Sequence, residues 1–112
     1  MLNAKYIIHE YLTQKNFSPF GDWLSKIKDK KARAIVRTRL DRVKLGNLGD
    51  CKSIGDNVHE LRIHYAQGYR IYFGIDGKKI VILLCGGTKK TQRKDILKAK
   101  EYWNDYKRRL YG

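Results

Sequence analysis

The sequence predicts an α+β fold: a small, mainly antiparallel sheet packed on a helical hairpin, with a helix at the C-terminal end. Three observations predict it. Two apolar stripes at helical spacing follow one another between residues 18 and 45. Three short strand-like segments then come in quick succession, at about 58–65, 69–75 and 79–85. A last stripe, Ile96, Ala99, Trp103, Tyr106 and Leu110, closes the order β-α-α-β-β-β-α. A chain of 112 residues suits one domain, spanning 1–112, with a single real core.

Each element has its own signal. KYIIHEY, residues 5–11, reads as a short first strand. Ser18-Pro19 is a helix start, with a hydroxyl at the cap and proline at the first helical position. Phe20, Trp23, Leu24 and Ile27 then share one face. Asp29 caps a second helix carrying Ala32, Ile35, Val36, Leu40 and Val43, and Gly46 stops it. Lys30, Lys31, Arg33, Arg37, Arg39, Arg42 and Lys44 give this hairpin a basic outer surface, which suits a solvated face as well as a binding one.

GNLGD, residues 46–50, is a loop, and Cys51–Ile54 has room for one more short strand. Asp76-Gly77 is a two-residue hairpin signal. IVILLC, residues 80–85, is apolar without alternation, so both of its faces are expected to be covered and the strand to lie inside the sheet. GGTKK, residues 86–90, reads as a turn, and the last helix runs from about Gln92 to Leu110. Its stripe reads as packing and not as a cofactor site.

Charge narrows the class of partner. Lys plus Arg number 25 against 11 Asp plus Glu, a formal net charge of +14. Such an excess repels itself in the compact state and points to a polyanion: nucleic acid first, an acidic protein second, a membrane surface a weak third. The two cysteines, Cys51 and Cys85, form no CxxC pair and read as free thiols of a reducing compartment. The N-terminus lacks the apolar run of a signal peptide and no stretch reaches the length of a membrane span, so the expected location is cytoplasmic, with no membrane partner.

The segment ELRIHYAQGYRIYF, residues 60–73, carries the sharpest functional signal. Alternation puts Leu61, Ile63 and Tyr65 on one face and Glu60, Arg62 and His64 on the other. In the next strand Tyr69, Ile71 and Phe73 share a face, with Arg70 and Tyr72 opposite. If Ala66-Gln67-Gly68 is a three-residue loop, Tyr65 pairs with Tyr69, His64 faces Arg70 and Arg62 faces Tyr72. Opposed Cβ atoms lie roughly 5 Å apart. Two guanidiniums and an imidazole at that spacing repel one another unless an anion sits among them, and a phosphodiester fits two guanidinium forks. The next strand would bring Leu83 beside Arg70 and Cys85 near the cluster. It would also deliver Lys89 and Lys90 to the rim, where two glycines allow close approach of the backbone to a ligand. The alternative for each residue taken singly is a solvated face or a salt bridge, and Glu60 could serve that role for Arg62.

Other chemistries find no support. There is no HExxH, no GxxxxGK[ST] loop and no paired-carboxylate pattern for divalent ions, and His9 and His59 are scattered. No metal and no cofactor is expected. A nuclease built this way would use the RNA's own 2′-hydroxyl, needing a base, an acid and cations on the developing phosphorane. His64 suits the base or the acid. Arg62, Arg70 and Lys89 or Lys90 suit the charge, and either lysine could also donate a proton.

HELRI, GYRIYF, IVILLCGGTKKTQRKDILKA and their spacing resemble the RelE/ParE superfamily of toxins from type II toxin–antitoxin modules. More narrowly the chain resembles the HigB-like, phage-derived addiction module killer proteins, over nearly its whole length. The resemblance implies a RelE-like fold and a ribosome-dependent mRNA endoribonuclease acting as a toxin. It would be neutralised by a cognate antitoxin, expected to be a small helix-turn-helix protein. Its implied partners are the ribosome and mRNA. The site it implies holds Arg62, His64, Arg70, Lys89, Lys90 and Asp95 as catalytic candidates. Lys52, Tyr72 and Arg93 join Arg62, Arg70, Lys89 and Lys90 as nucleic-acid contacts. Many relatives carry a tyrosine in the C-terminal segment. Here Asp95-Ile96 stands there, and the next tyrosine is Tyr102. Asp95 also suits the first turn of any helix, through the macrodipole. The alternatives are a ParE-like inhibitor of DNA gyrase and a non-catalytic RNA- or ribosome-binding module.

Overall fold

The structure is a computed structural model and describes residues 5–112. Its elements are β1 (Ile7–Glu10), α1 (Pro19–Lys26), α2 (Lys30–Lys44), β2 (Cys51–Ser53), β3 (Val58–Ile63), β4 (Tyr69–Asp76), β5 (Ile80–Thr88) and α3 (Gln92–Tyr111), with one 3-10 turn at Lys89–Thr91. The five strands lie in the order β1-β5-β4-β3-β2. The pair β1–β5 is parallel and the other three pairs are antiparallel.

The caps form as their residue types require. The Ser18 hydroxyl accepts from Gly21 N–H at 2.9 Å, and the Asp29 carboxylate accepts from Lys31 and Ala32 N–H. The apolar faces of α1 and α2, with Phe20, Ala32, Val36 and Val43, then cover one side of the sheet through Leu61, Ile63, Tyr69, Ile71, Phe73, Val81 and Leu83. Helix α3 covers the other side, with Ala99 and Trp103 on Val58, Tyr72, Ile82, Leu84 and Cys85. That second layer is why β5 is apolar on both faces, and β5 lies inside the sheet as expected. Among the described residues no helix is long and apolar enough to cross a membrane.

Several details differ from the sequence reading. Tyr69 pairs with Ile63, not with Tyr65, so five residues, 64–68, form the loop. The shift is by two residues and leaves every side chain that remains in β3 and β4 on its predicted face. Hydrophobic patterning separates odd from even registers, while turn chemistry chooses among those that remain. Here Gly68 N–H bonds to the Tyr65 carbonyl at 2.9 Å, and Ala66 and Gly68 take positive φ. Likewise Asp76 pairs with Ile80, so the β4–β5 turn holds three residues, 77–79, and not two. That register makes Leu83 the partner of Phe73, and a bulge between Tyr72 and Phe73 then brings Arg70 opposite Gly87, so Leu83 does not lie beside Arg70.

GGTKK is not one turn. β5 runs on through Gly86, Gly87 and Thr88. The two glycines admit protein, not ligand. A Cβ at Gly86 would lie 2.2 Å from the Trp23 ring of α1, and one at Gly87 would lie 1.8 Å from the Asp95 carboxylate of α3. The two helical layers therefore press on β5 from opposite faces at adjacent residues. The basic outer surface of the hairpin also loses two members. Arg33 donates to the Ile27 carbonyl, and Arg39 donates to the carbonyls of Leu48, Asp50 and Arg62, which ties the loop after α2 to the end of β3.

Candidate anion site on the α3 face of the sheet

Two cross-strand rows build the site. The first is Lys52, Glu60, Tyr72 and Cys85, one residue from each of β2 to β5. The second is Arg62, Arg70 and Gly87. Extending the β2–β3 register by one residue past the Cys51–Leu61 pair puts Asp50 opposite Arg62. The bond from Arg62 N–H to the Asp50 carbonyl, 2.9 Å, agrees with that placement. The second row therefore reads Asp50, Arg62, Arg70, Gly87, with Asp95 seated over Gly87.

Arg62 faces Arg70 directly, where like charges repel. Glu60 resolves the repulsion. Its carboxylate is wholly buried and lies 3.3 Å from Arg62 Nε and 3.5 Å from Arg70 Nε. It also accepts from the Tyr72 hydroxyl at 3.1 Å and from Gln92 Nε2 at 2.7 Å. One buried carboxylate thus holds two guanidiniums, a phenol and the first residue of α3. Arg70 is 12 % exposed, and its Nε, close to Glu60 but out of line with it, makes no hydrogen bond. Arg62 is 28 % exposed. Two positive forks with one internal negative charge between them leave net positive charge facing outward, the arrangement that binds an oxyanion.

The other candidates divide into three sets. Lys89 joins the row: its N–H bonds the Gly68 carbonyl at 3.1 Å, and a Cβ placed on Gly68 would lie 3.7 Å from Arg70 Nη1 and 3.8 Å from Lys89 Cβ. Lys52 is exposed on the same face, opposite Glu60. Lys90 and Arg93 belong elsewhere, to a shallow hollow shared with Lys94 and Leu97 at the start of α3. Tyr72 is fully buried and offers no surface to a ligand. Burial first, then the Glu60 charge, pushes its phenol far above the ordinary tyrosine value, so it stays neutral. Asp95 accepts from the Thr91 hydroxyl and contributes, after burial, to raising the neighbouring Cys85 thiol to about 12. Cys85 is therefore an un-ionised core thiol.

His64 does not face Arg70. It sits past the end of β3 in the loop, 73 % exposed, with Nε2 2.5 Å from Asp50 Oδ2. The five-residue loop is the reason: the strand ends at Ile63, and the next residues turn outward to other partners, Tyr65 donating to Asp29 at 3.0 Å. Beside His64 a groove of about 600 Å³ runs between α2 and the end of β3, walled by Arg39, Arg42, Asp50, Arg62 and Tyr65.

Sequence reasoning missed three members of this site. Glu60 reads from the sequence as a partner of Arg62 alone; alternation puts it on the arginine face, but only the register sets it against Arg70 as well. Asp50 reads as a loop residue, and only the short strand at Cys51 signals its register. Gln92 carries no sequence signal for its contact with Glu60. Among the described residues no group of three or more His, Cys, Asp or Glu could hold a metal ion.

With this geometry in hand, two comparisons bear on the chain. The family model described as phage-derived protein Gp49-like (DUF891) matches residues 22–104, from the middle of α1 into α3. An uncharacterised protein of Haemophilus influenzae is 51 % identical over 81 residues, covering 72 % of this chain and 82 % of the relative. The matched span contains every residue of both rows.

Proposed function

The chain belongs to the Gp49-like family of phage-derived proteins, a family associated with addiction module killer toxins, and from that premise we propose that it is a toxin that cleaves mRNA on the ribosome and is held inactive by a cognate antitoxin. The observation that carries the reading is the opposed Arg62–Arg70 pair, poised around a buried carboxylate and open on one side. Its chemistry suits a phosphodiester, and the net charge of +14 suits a polyanionic target.

The proposed reaction is transesterification within the RNA. The 2′-oxygen forms a bond to phosphorus while the bond from phosphorus to the 5′-oxygen breaks. A base takes the 2′-proton and an acid returns one to the leaving 5′-oxygen. The products are a 2′,3′-cyclic phosphate and a 5′-hydroxyl. Arg62 and Arg70 hold the charge of the phosphorane, with Lys89 at the edge of the same row. Lys52 extends the cationic surface along the strand. Glu60 holds the guanidiniums in place before substrate arrives, so they need no reorganisation when charge develops.

Mapping 5′ ends of mRNA in a translation extract tests this. Wild-type protein is expected to create new 5′-hydroxyl ends, and a single 2′-deoxynucleotide at a mapped site is expected to abolish cleavage there. Intact mRNA with lost supercoiling activity would replace this reading with gyrase inhibition. Intact mRNA with steeply salt-dependent ribosome binding would replace it with a non-catalytic module.

A further inference from the structure

The Asp50–His64 pair lies at the open end of the arginine row. Asp50 is tightly placed. Its carbonyl accepts from Arg62 N–H at 2.9 Å and from Arg39 Nη2 at 3.3 Å, so its backbone is fixed at the edge of the sheet. Its carboxylate then reaches His64 Nε2 at 2.5 Å. A carboxylate accepts and does not donate, so Nε2 carries the proton in this contact. In the neutral ring the lone pair is therefore on Nδ1.

The geometry points to one role: we propose that Asp50 is the positioning carboxylate of His64, and that His64 Nδ1 takes the 2′-hydroxyl proton in the cleavage reaction. This rests on the endoribonuclease reading above. Arg62 joins the two parts of the site, because it belongs to the guanidinium row and also walls the groove beside His64. The proposal requires a phosphate bound at Arg62, the edge of the row, so that its flanking ribose extends past the end of β3 towards His64. The proton moves from the 2′-oxygen to Nδ1, the 2′-oxygen bonds to phosphorus as the bond to the 5′-oxygen breaks, that oxygen takes a proton from water, and the charge that appears on the imidazole faces the Asp50 carboxylate. The same logic, a carboxylate fixing tautomer and orientation, governs catalytic histidines on unrelated folds.

The groups around His64 are mixed in sign. Lys31, Arg39 and Arg42 come from α2, Arg62 from β3, and Asp50 and Tyr65 from the flanking loops.

Two readouts on the full chain test the proposal. In the first, ¹⁵N-correlated NMR of the free protein reads the His64 tautomer. Wild type is expected to hold the proton on Nε2, and Asp50→Asn to lose that preference. In the second, single-turnover cleavage of ribosome-bound mRNA is measured. His64→Ala is expected to lose about 100-fold, and Asp50→Asn about 10–100-fold, with mRNA and ribosome affinity within about twofold. Asp50→Glu is expected to restore part of the rate. Cleavage by Asp50→Asn within about twofold of wild type, or a tautomer indifferent to it, overturns the proposal and reduces the pair to a surface ion pair. If wild type itself leaves mRNA intact, the endoribonuclease reading fails and the proposal with it; if only Asp50→Asn is silent, that reading stands.

Discussion

At Arg62 and Arg70, charge is held by burial; at Asp50 and His64, one strand end away, it is held by a single hydrogen bond in solvent. Glu60 has no exposed surface and four polar partners, while His64 is 73 % and Asp50 45 % exposed. Burial makes the first cluster expensive to disturb, because each partner removed leaves another unsatisfied. Exposure leaves the second nearly free to change, as expected for surface pairs. A phosphate needs fixed cations, whereas a proton carrier needs access to water and a ring free to exchange its proton. That difference matches the roles we propose for the two regions.

The comparison breaks most visibly at Glu60. Glu60→Ala strands two guanidiniums, the Tyr72 hydroxyl and Gln92, and is expected to cost about 3–5 kcal/mol, read from urea unfolding. Asp50→Ala should leave the unfolding midpoint unchanged. Equal effects at the two positions would refute the contrast. Gly87→Ala comes next. Its methyl would meet the Asp95 carboxylate, so the first turn of α3 must shift, at about 1–3 kcal/mol. Because Gln92 on the same turn binds Glu60, amide exchange should accelerate at β3 and β4 as well as at α3; protection unchanged outside α3 would uncouple the helix from the site.

Smaller effects are expected from pH. The Tyr111 and Tyr106 hydroxyls hold the Asp76 carboxyl below its ordinary value, and Tyr11 does the same to Asp105, with Arg109. A depressed carboxyl contributes stability that is complete above the unfolded value and lost as pH falls through the folded one. On the alkaline side burial, then Asp105, raises Tyr11 to about 12. Its contribution is complete below the ordinary value of about 10 and fades as pH climbs from there towards 12. These contacts join α3 to Tyr11 and to the β4–β5 turn. Near-ultraviolet dichroism should therefore show the end of α3 loosening at both extremes. Loosening near neutrality would contradict this assignment.

The fold was legible wherever a residue's own chemistry decides its conformation. Ser18-Pro19 and Asp29 are caps in any context, and IVILLC has no polar face to show to water. What stayed hidden depended on distance. Nothing in KYIIHEY says that its strand pairs in parallel with β5, because pairing partners are chosen by the sheet. The face of every strand residue in the 60–73 segment was readable, since alternation fixes it, whereas residues 64–68 lie in the loop. The register was not, since a two-residue shift keeps the same faces. That single freedom moved His64 from Arg70 to Asp50 and brought Arg62 opposite Arg70. Gly86 and Gly87 carried a true signal of close approach, but it identified neither Trp23 nor Asp95 as the groups that approach.

The most direct test of the account is the single-turnover rate of ribosome-dependent mRNA cleavage by Arg62→Ala/Arg70→Ala against wild type. Removing one donor to a developing oxyanion costs about 10²–10³-fold, so the account predicts a loss of at least about 1,000-fold for the pair, compared at a temperature where amide exchange shows both proteins folded, because the double variant leaves the Glu60 carboxylate buried without its cations. Cleavage within about threefold of wild type would contradict it.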